Sequence, residues 1–125
     1  MKVIEKGKGE SELVIVGSLH GDEPAGKKAI DKILKDHQEF RKPVKFIIPS
    51  EKALEENKRY LDVDPNSSFP GDKDSDKYEK RLAAKITEEV KGKTVLDIHT
   101  TRSTERPFAT MKNTDEETIR MAEDV

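Results

Sequence analysis

The 125-residue chain has no cysteine at all, which excludes disulfides, thiolate metal sites and cysteine nucleophiles. It is also short of apolar residues, at 32%, against 40% charged ones. It lacks any apolar run of the roughly 18 residues that a membrane-spanning helix needs. The opening residues Met1-Lys2-Val3-Ile4-Glu5-Lys6-Gly7 carry charge where a secretory leader needs an apolar stretch, so the expectation is a soluble cytoplasmic protein. No sign of charge dominates: 24 Lys and Arg face 26 Asp and Glu, for a net charge of −2. The two signs are interspersed rather than gathered into tails, which argues against nucleic acid or an anionic membrane as partner. Walker-type, dinucleotide-binding, Gly-x-Ser-x-Gly and Ser-x-x-Lys patterns are absent too.

What the chain does contain is an alternation of apolar periods. This length allows at most one domain with one modest core. Val3-Ile4 reads as a short edge strand before Gly7-Lys8-Gly9. Leu13-Val14-Ile15-Val16-Gly17 is a continuous, partly β-branched run that suits a strand covered on both faces. From Pro24 the period becomes helical, with Ala29, Ile30, Ile33, Leu34 and His37 on one stripe and Pro24 in the first turn. Phe46-Ile47-Ile48 is a second buried strand, and the Asp-, Asn-, Ser-, Pro- and Gly-dense stretch from about Asn57 to Ser75 is a long loop. Loops of that length in compact domains are usually functional or disordered. Tyr78, Leu82, Ile86 and Val90 mark another helix, stopped by Gly92. Val95-Leu96-Asp97-Ile98 is a third interior strand. Pro107 to Met111 reads as a fourth, and Thr114 caps a last helix with an acidic first turn. The fold class is therefore α/β, with a mostly parallel or mixed central sheet flanked by helices.

Three stretches carry chemistry. His20-Gly21-Asp22-Glu23 follows the first interior strand, and Leu96-Asp97-Ile98-His99 ends the third. Ligands of such sheets collect at the carboxyl ends of the strands, so His20, Glu23 and His99 can meet there despite their separation in sequence. Two imidazoles and a carboxylate form a three-ligand zinc set that leaves a fourth position open, the mark of a catalytic rather than a structural zinc. His-x-x-Glu alone is better read as a surface ion pair; His99 at a strand end and the Gly-rich turn after His20 are what favour metal. Asp97, two residues before His99, shares its strand face; accepting the free imidazole N–H and fixing the tautomer is favoured there over a plain buried ion pair. Thr100 and Thr101 read as turn residues. In the long loop, Arg59 can grip a substrate carboxylate with two hydrogen bonds or simply pair with Asp62 or Asp64. Asn66 can serve a substrate or a turn. His37, among Lys35, Asp36 and Glu39, reads as a solvated histidine, and Lys27-Lys28, Glu55-Glu56 and Glu88-Glu89 as solvated faces.

Taken together, His20-Gly21-Asp22-Glu23-Pro24-Ala25-Gly26, then Arg59-Tyr60-Leu61-Asp62-Val63-Asp64-Pro65-Asn66 with Phe69-Pro70-Gly71, then Asp97-Ile98-His99-Thr100-Thr101 resemble the motifs of the succinylglutamate desuccinylase/aspartoacylase family. That family is a branch of the zinc carboxypeptidase-like enzymes, and the resemblance spans about Leu13 to Met111. It implies a shortened zinc-carboxypeptidase-like fold, a zinc cofactor held by His20, Glu23 and His99, and substrate contacts from Arg59 and Asn66. It also implies hydrolysis of the amide of an N-acyl amino acid or a similar small carboxylate-bearing molecule. Asp22 stands where the family has Asn. Pro65 and Ser67 replace a Leu and a second Arg of the loop motif, which removes one expected hold on an acidic substrate. The family's general-base glutamate comes on a later strand. Glu105, Glu116, Glu117 and Glu123 follow His99 without a matching context, so the base is expected beyond Val125, in an incomplete hydrolase domain spanning 1–125. The competing readings are a metal- or ligand-binding relative, or fragment, without that base, and a plain α/β domain with a chance match.

Overall fold

A computed structural model describes residues 1–101, 108–112 and 115–123. Its centre is a four-stranded mixed sheet of order β1-β3-β2-β4. The strands are β1 (Lys2–Lys6), β2 (Leu13–Gly17), β3 (Val44–Ile48) and β4 (Thr94–Ile98). β2 runs parallel to both β3 and β4, while β1 lies antiparallel on the outer edge of β3. Helix α1 (Ala25–Asp36) follows β2, a short α2 (Glu51–Glu55) follows β3, α3 (Tyr78–Val90) precedes β4, and α4 (Glu116–Glu123) comes last.

The period-two alternation of the strands explains how both faces are covered. Phe46 and Ile48 point with Ile30 of α1 into one apolar cluster, joined by Ile15, Ile33 and Leu34. Val14, Val16 and Ile47 point the other way, where Val90 packs against them, beside Leu19, Leu82, Ile86 and Tyr78. The stripe predicted for α3 is thus the one it buries. The fully buried ones, such as Ile30, Phe46 and Ile47, each contribute about 1.5–3 kcal/mol relative to exposure. Gly92, at φ +71, ends α3 as its sequence position suggests. Because β3 and β4 join β2 from opposite sides, the carboxyl end of β2 is where the strand order reverses. Open α/β sheets hold their ligands at that point.

Several expectations need correction. Pro24 is the N-cap residue of α1 rather than part of its first turn, and it has no side-chain acceptor to offer. Ser18 supplies one from outside the helix: its Oγ accepts the Lys27 N–H at 2.9 Å and donates to the Glu23 carbonyl at 2.6 Å. β4 is an edge of the described sheet, not an interior strand, and leaves Val95 43% exposed. Of the strand expected over Pro107 to Met111, Pro107 lies outside the described residues and the rest forms no strand, with Phe108 and Met111 exposed. Apolar β-formers become a strand only where a neighbouring backbone pairs with them, and none of the described strands does so here. Thr114 lies outside the described residues; Asp115 accepts the Thr118 N–H at 2.9 Å and caps α4. Helix α2, capped by Ser50 at Ala53 N–H, was not expected. Among the described residues no helix is long and apolar enough to cross a membrane.

Candidate metal centre

The chain leaves β2 through Ser18, a non-glycine residue at φ +63, and turns sharply into His20-Gly21-Asp22-Glu23. Gly21 allows this turn to press on the segment after β3. A Cβ there would lie 2.3 Å from the Ala53 carbonyl carbon and 2.4 Å from the Lys58 oxygen. Across the same contact the Gly21 N–H donates to the Arg59 carbonyl at 3.1 Å. One glycine thus brings the two motif segments into register.

His20, Glu23 and His99 come together: one potential ligand atom from each lies within 4.8 Å of the others. The Glu23 carboxylate stands between the two imidazoles, with Oε1 3.1 Å from His20 Nδ1 and Oε2 3.1 Å from His99 Nδ1. The outward nitrogens also meet carboxylates. His20 Nε2 is 3.3 Å from Asp64 Oδ1, and His99 Nε2 is 2.9 Å from Asp97 Oδ2. A proton held on each Nε2 leaves both Nδ1 lone pairs facing Glu23.

His20 is fully buried, and its Nδ1 has no hydrogen-bond partner despite the nearby Glu23 oxygen. Two lone-pair-bearing atoms facing each other at that distance repel unless a cation lies between or beside them. A buried polar atom without a partner is rare and costly. The donor set of two imidazoles and a carboxylate is one that zinc takes readily, so these residues fit a metal.

The electrostatics favour the charged forms of Glu23 and Asp64. Burial works against the Glu23 charge, but the Thr100 N–H at 2.8 Å, Arg59 and the two imidazoles outweigh it and hold its carboxyl below the ordinary value. Burial likewise opposes ionisation of Asp64, and the Asn66 N–H, His20 and Arg59 overcome it. His99 is shifted up, chiefly by its hydrogen bond to Asp97; burial opposes this, and the charges of Asp97 and Glu23 add to it.

The loop residues divide. Arg59 reaches the centre: its Nη1 lies 2.9 Å from Glu23 Oε1 and 3.7 Å from Asp22, and its Nε is 3.8 Å from Asp64. Of the two partners weighed from sequence, Asp64 is among its contacts. Asp62 instead accepts the Tyr78 N–H at the start of α3. Asn66 is exposed on a 3-10 turn (Pro65–Ser67), with its N–H 2.8 Å from Asp64 Oδ1. His37 is exposed and away from the centre, beside Phe40. Sequence reasoning singled out neither Asp64 as the partner of His20, nor Ser18, nor the buried Glu79 that binds the loop. For Asp64 a signal existed, since it belongs to the Arg59–Asn66 motif.

The profile of the succinylglutamate desuccinylase/aspartoacylase catalytic domain matches residues 10–123. Among solved structures, a succinylglutamate desuccinylase/aspartoacylase from Rhodobacter sphaeroides is 25% identical with a TM-score of 0.64, over 78% of this chain and 32% of its own. A succinylglutamate desuccinylase from Vibrio parahaemolyticus has the same fold at 20% identity and a TM-score of 0.65, over 79% of this chain and 40% of its own. An aspartoacylase family protein from Mesorhizobium loti does so at 24% and 0.65, over 78% and 33%. The chain thus spans about a third of the length of these proteins. No curated protein matches it.

Proposed function

The chain belongs to the succinylglutamate desuccinylase/aspartoacylase catalytic-domain family, and from that premise we propose that it carries the metal cradle and part of the substrate grip of a zinc-dependent amide hydrolase. Its substrate in this reading is an N-acyl amino acid or a similar small carboxylate-bearing amide. The observation that carries the reading is the buried, unpartnered His20 Nδ1 beside Glu23 and His99. Bound zinc supplies Lewis-acid polarisation of the scissile carbonyl and a water whose pKa falls to about 7.

The remaining work belongs to the chain's own residues. His20, Glu23 and His99 would hold the metal, with the two Nδ1 atoms and the carboxylate facing one another. Asp64 and Asp97 retain the Nε2 protons, so that the lone pairs stay aimed inward. The Thr100 N–H fixes one Glu23 oxygen. Arg59, whose side chain is 46% exposed, offers its remaining N–H groups to the substrate carboxylate. The exposed Asn66 amide adds a donor and an acceptor beside it. Ser67 cannot repeat the ionic contact of the arginine found there in the family, so the grip on a second substrate carboxylate is weaker.

One observation favours a second reading, a metal- and ligand-binding relative without turnover. Among the described residues, each carboxylate at the centre is already engaged by an imidazole or by Arg59. Glu116, on α4, is exposed and pairs with Arg120. At this centre the described residues thus offer no unengaged carboxylate to move the proton from water to the leaving amine. Losing a general base costs about 10²–10⁴ in rate. The test is zinc analysis of the purified protein together with hydrolysis assays on a panel of N-acyl amino acids. The enzyme reading requires near-stoichiometric zinc and turnover that chelation abolishes and zinc restores. Zinc without turnover supports the second reading, and absence of zinc overturns both.

A further inference from the structure

We propose that Glu79 is a positioning residue for this centre, acting through the loop that carries Arg59, Asp64 and Asn66; the proposal rests on the metal and substrate reading above. Glu79 lies in the first turn of α3 and is 2% exposed. A buried carboxylate is unfavourable unless its charge is answered, and a lysine or arginine would be the usual answer. Here three successive backbone groups provide it. Oε1 accepts the Leu61 N–H at 2.6 Å, and Oε2 accepts those of Asp62 at 3.0 Å and Val63 at 3.1 Å. In the other direction, the Asp62 carboxylate accepts the Tyr78 N–H at 2.7 Å.

The loop and the first turn of α3 therefore exchange charged hydrogen bonds, which are stronger and more directional than neutral ones. The positive end of the helix also favours a carboxylate in its first turn. Three consecutive N–H groups can converge on one carboxylate only if the chain curves tightly around it. That curve sets Arg59 on one side, against Glu23, and Asp64 on the other, against His20. Glu79 bonds to the loop backbone rather than to any of the three proposed metal ligands; it fixes where the loop partners of His20 and Glu23 stand.

The test compares the full chain with Glu79→Gln, which keeps the size but turns one accepting oxygen into an amide that faces N–H groups. A control, Ile86→Val, trims a core-facing residue of the same helix. Glu79→Gln is expected to speed hydrogen exchange at the Leu61, Asp62 and Val63 amides at least tenfold while the β2 and β3 amides keep their protection. It is also expected to weaken zinc binding by about 10–100-fold, the range found when a ligand's supporting partner is lost. Ile86→Val is expected to lower thermal stability and leave both readouts at wild-type values. Unchanged loop exchange, a zinc Kd within twofold of wild type, or an equal Kd shift in Ile86→Val would each overturn the proposal. Should Glu79→Gln not fold, Asp62→Ala removes the returning bond to the Tyr78 N–H, and an unchanged zinc Kd in that variant overturns it as well. A wild-type chain that binds no zinc overturns the metal reading and this proposal with it. Zinc binding that Glu79→Gln leaves intact overturns this proposal alone.

Discussion

His20 and His99 serve the same centre from unequal ground. His20 sits at the end of the central strand, fully buried and backed by Gly21, Asp64 and the Ser18 turn. His99 sits at the end of an edge strand with its side chain 32% exposed, held by Asp97 and facing Glu23. The two rings still stand only 5.2 Å apart between centroids. The comparison separates two properties that active-site residues usually mix: His20 belongs to the core as well as to the proposed ligand set, whereas His99 belongs mainly to that proposed set.

The largest expected effect comes from breaking the buried side. Gly21→Ala drives a Cβ into the Ala53 and Lys58 backbone, and the turn cannot yield without parting the two motif segments. A loss of about 3 kcal/mol or more is expected in denaturant unfolding, with loss of zinc binding. Next, the two alanine variants test the asymmetry itself. His20→Ala should cost the metal-free protein about 2–4 kcal/mol, and His99→Ala less than about 1 kcal/mol. Both should lose the zinc-dependent gain, which for wild type is about 2.7 kcal/mol at free zinc 100-fold above Kd. Equal losses of metal-free stability would erase the distinction.

Smaller effects should follow in the supporting carboxylates. Asp97→Asn and Asp64→Asn each leave the ligands in place and are expected to weaken zinc binding by about 10–100-fold. The effect should be greater for Asp97, whose bond to its histidine is shorter, 2.9 Å against 3.3 Å. Isothermal titration checks the order.

The mildest effect is on pH dependence. The Asp97 hydrogen bond, against burial and with the charges of Asp97 and Glu23, raises His99 above 6.5. A raised imidazole pKa contributes stability to the metal-free protein that is fully present below the unfolded value and lost as pH rises through the folded one. Zinc competes with that proton, so its apparent affinity should climb with pH across the window just above 6.5. Glu23, held below 4.5, stays ionised throughout that window. Asp97→Asn should move the midpoint of the climb to lower pH, as zinc titrations at several pH values would show.

The same contrast explains what could be read from the chain before its structure. β2, β3, α1 and α3 announce themselves because their apolar residues recur at the strand or helix period and are buried on those faces. His20, Glu23 and His99 were legible because each belongs to a recognisable motif, His99 directly after β4 and the other two in the turn between β2 and α1. The strand expected near Met111 failed because pairing is a property of two segments, and Phe108 with its neighbours shows only one. Glu79 was hidden for a related reason. In a chain with so many lysines and glutamates it looks like any solvated helix residue, and nothing local reveals that three N–H groups from another segment converge on it. Asp64 was visible as a motif residue, but its hold on His20 depends on the Gly21 contact.

The most direct measurement of the central claim is anomalous diffraction at the zinc edge from crystals grown with zinc. The account predicts one strong peak bounded by His20 Nδ1, His99 Nδ1 and the Glu23 carboxylate, with Asp64 and Asp97 still on the Nε2 atoms. No peak there, or a peak on the Nε2 side of either ring, would contradict it.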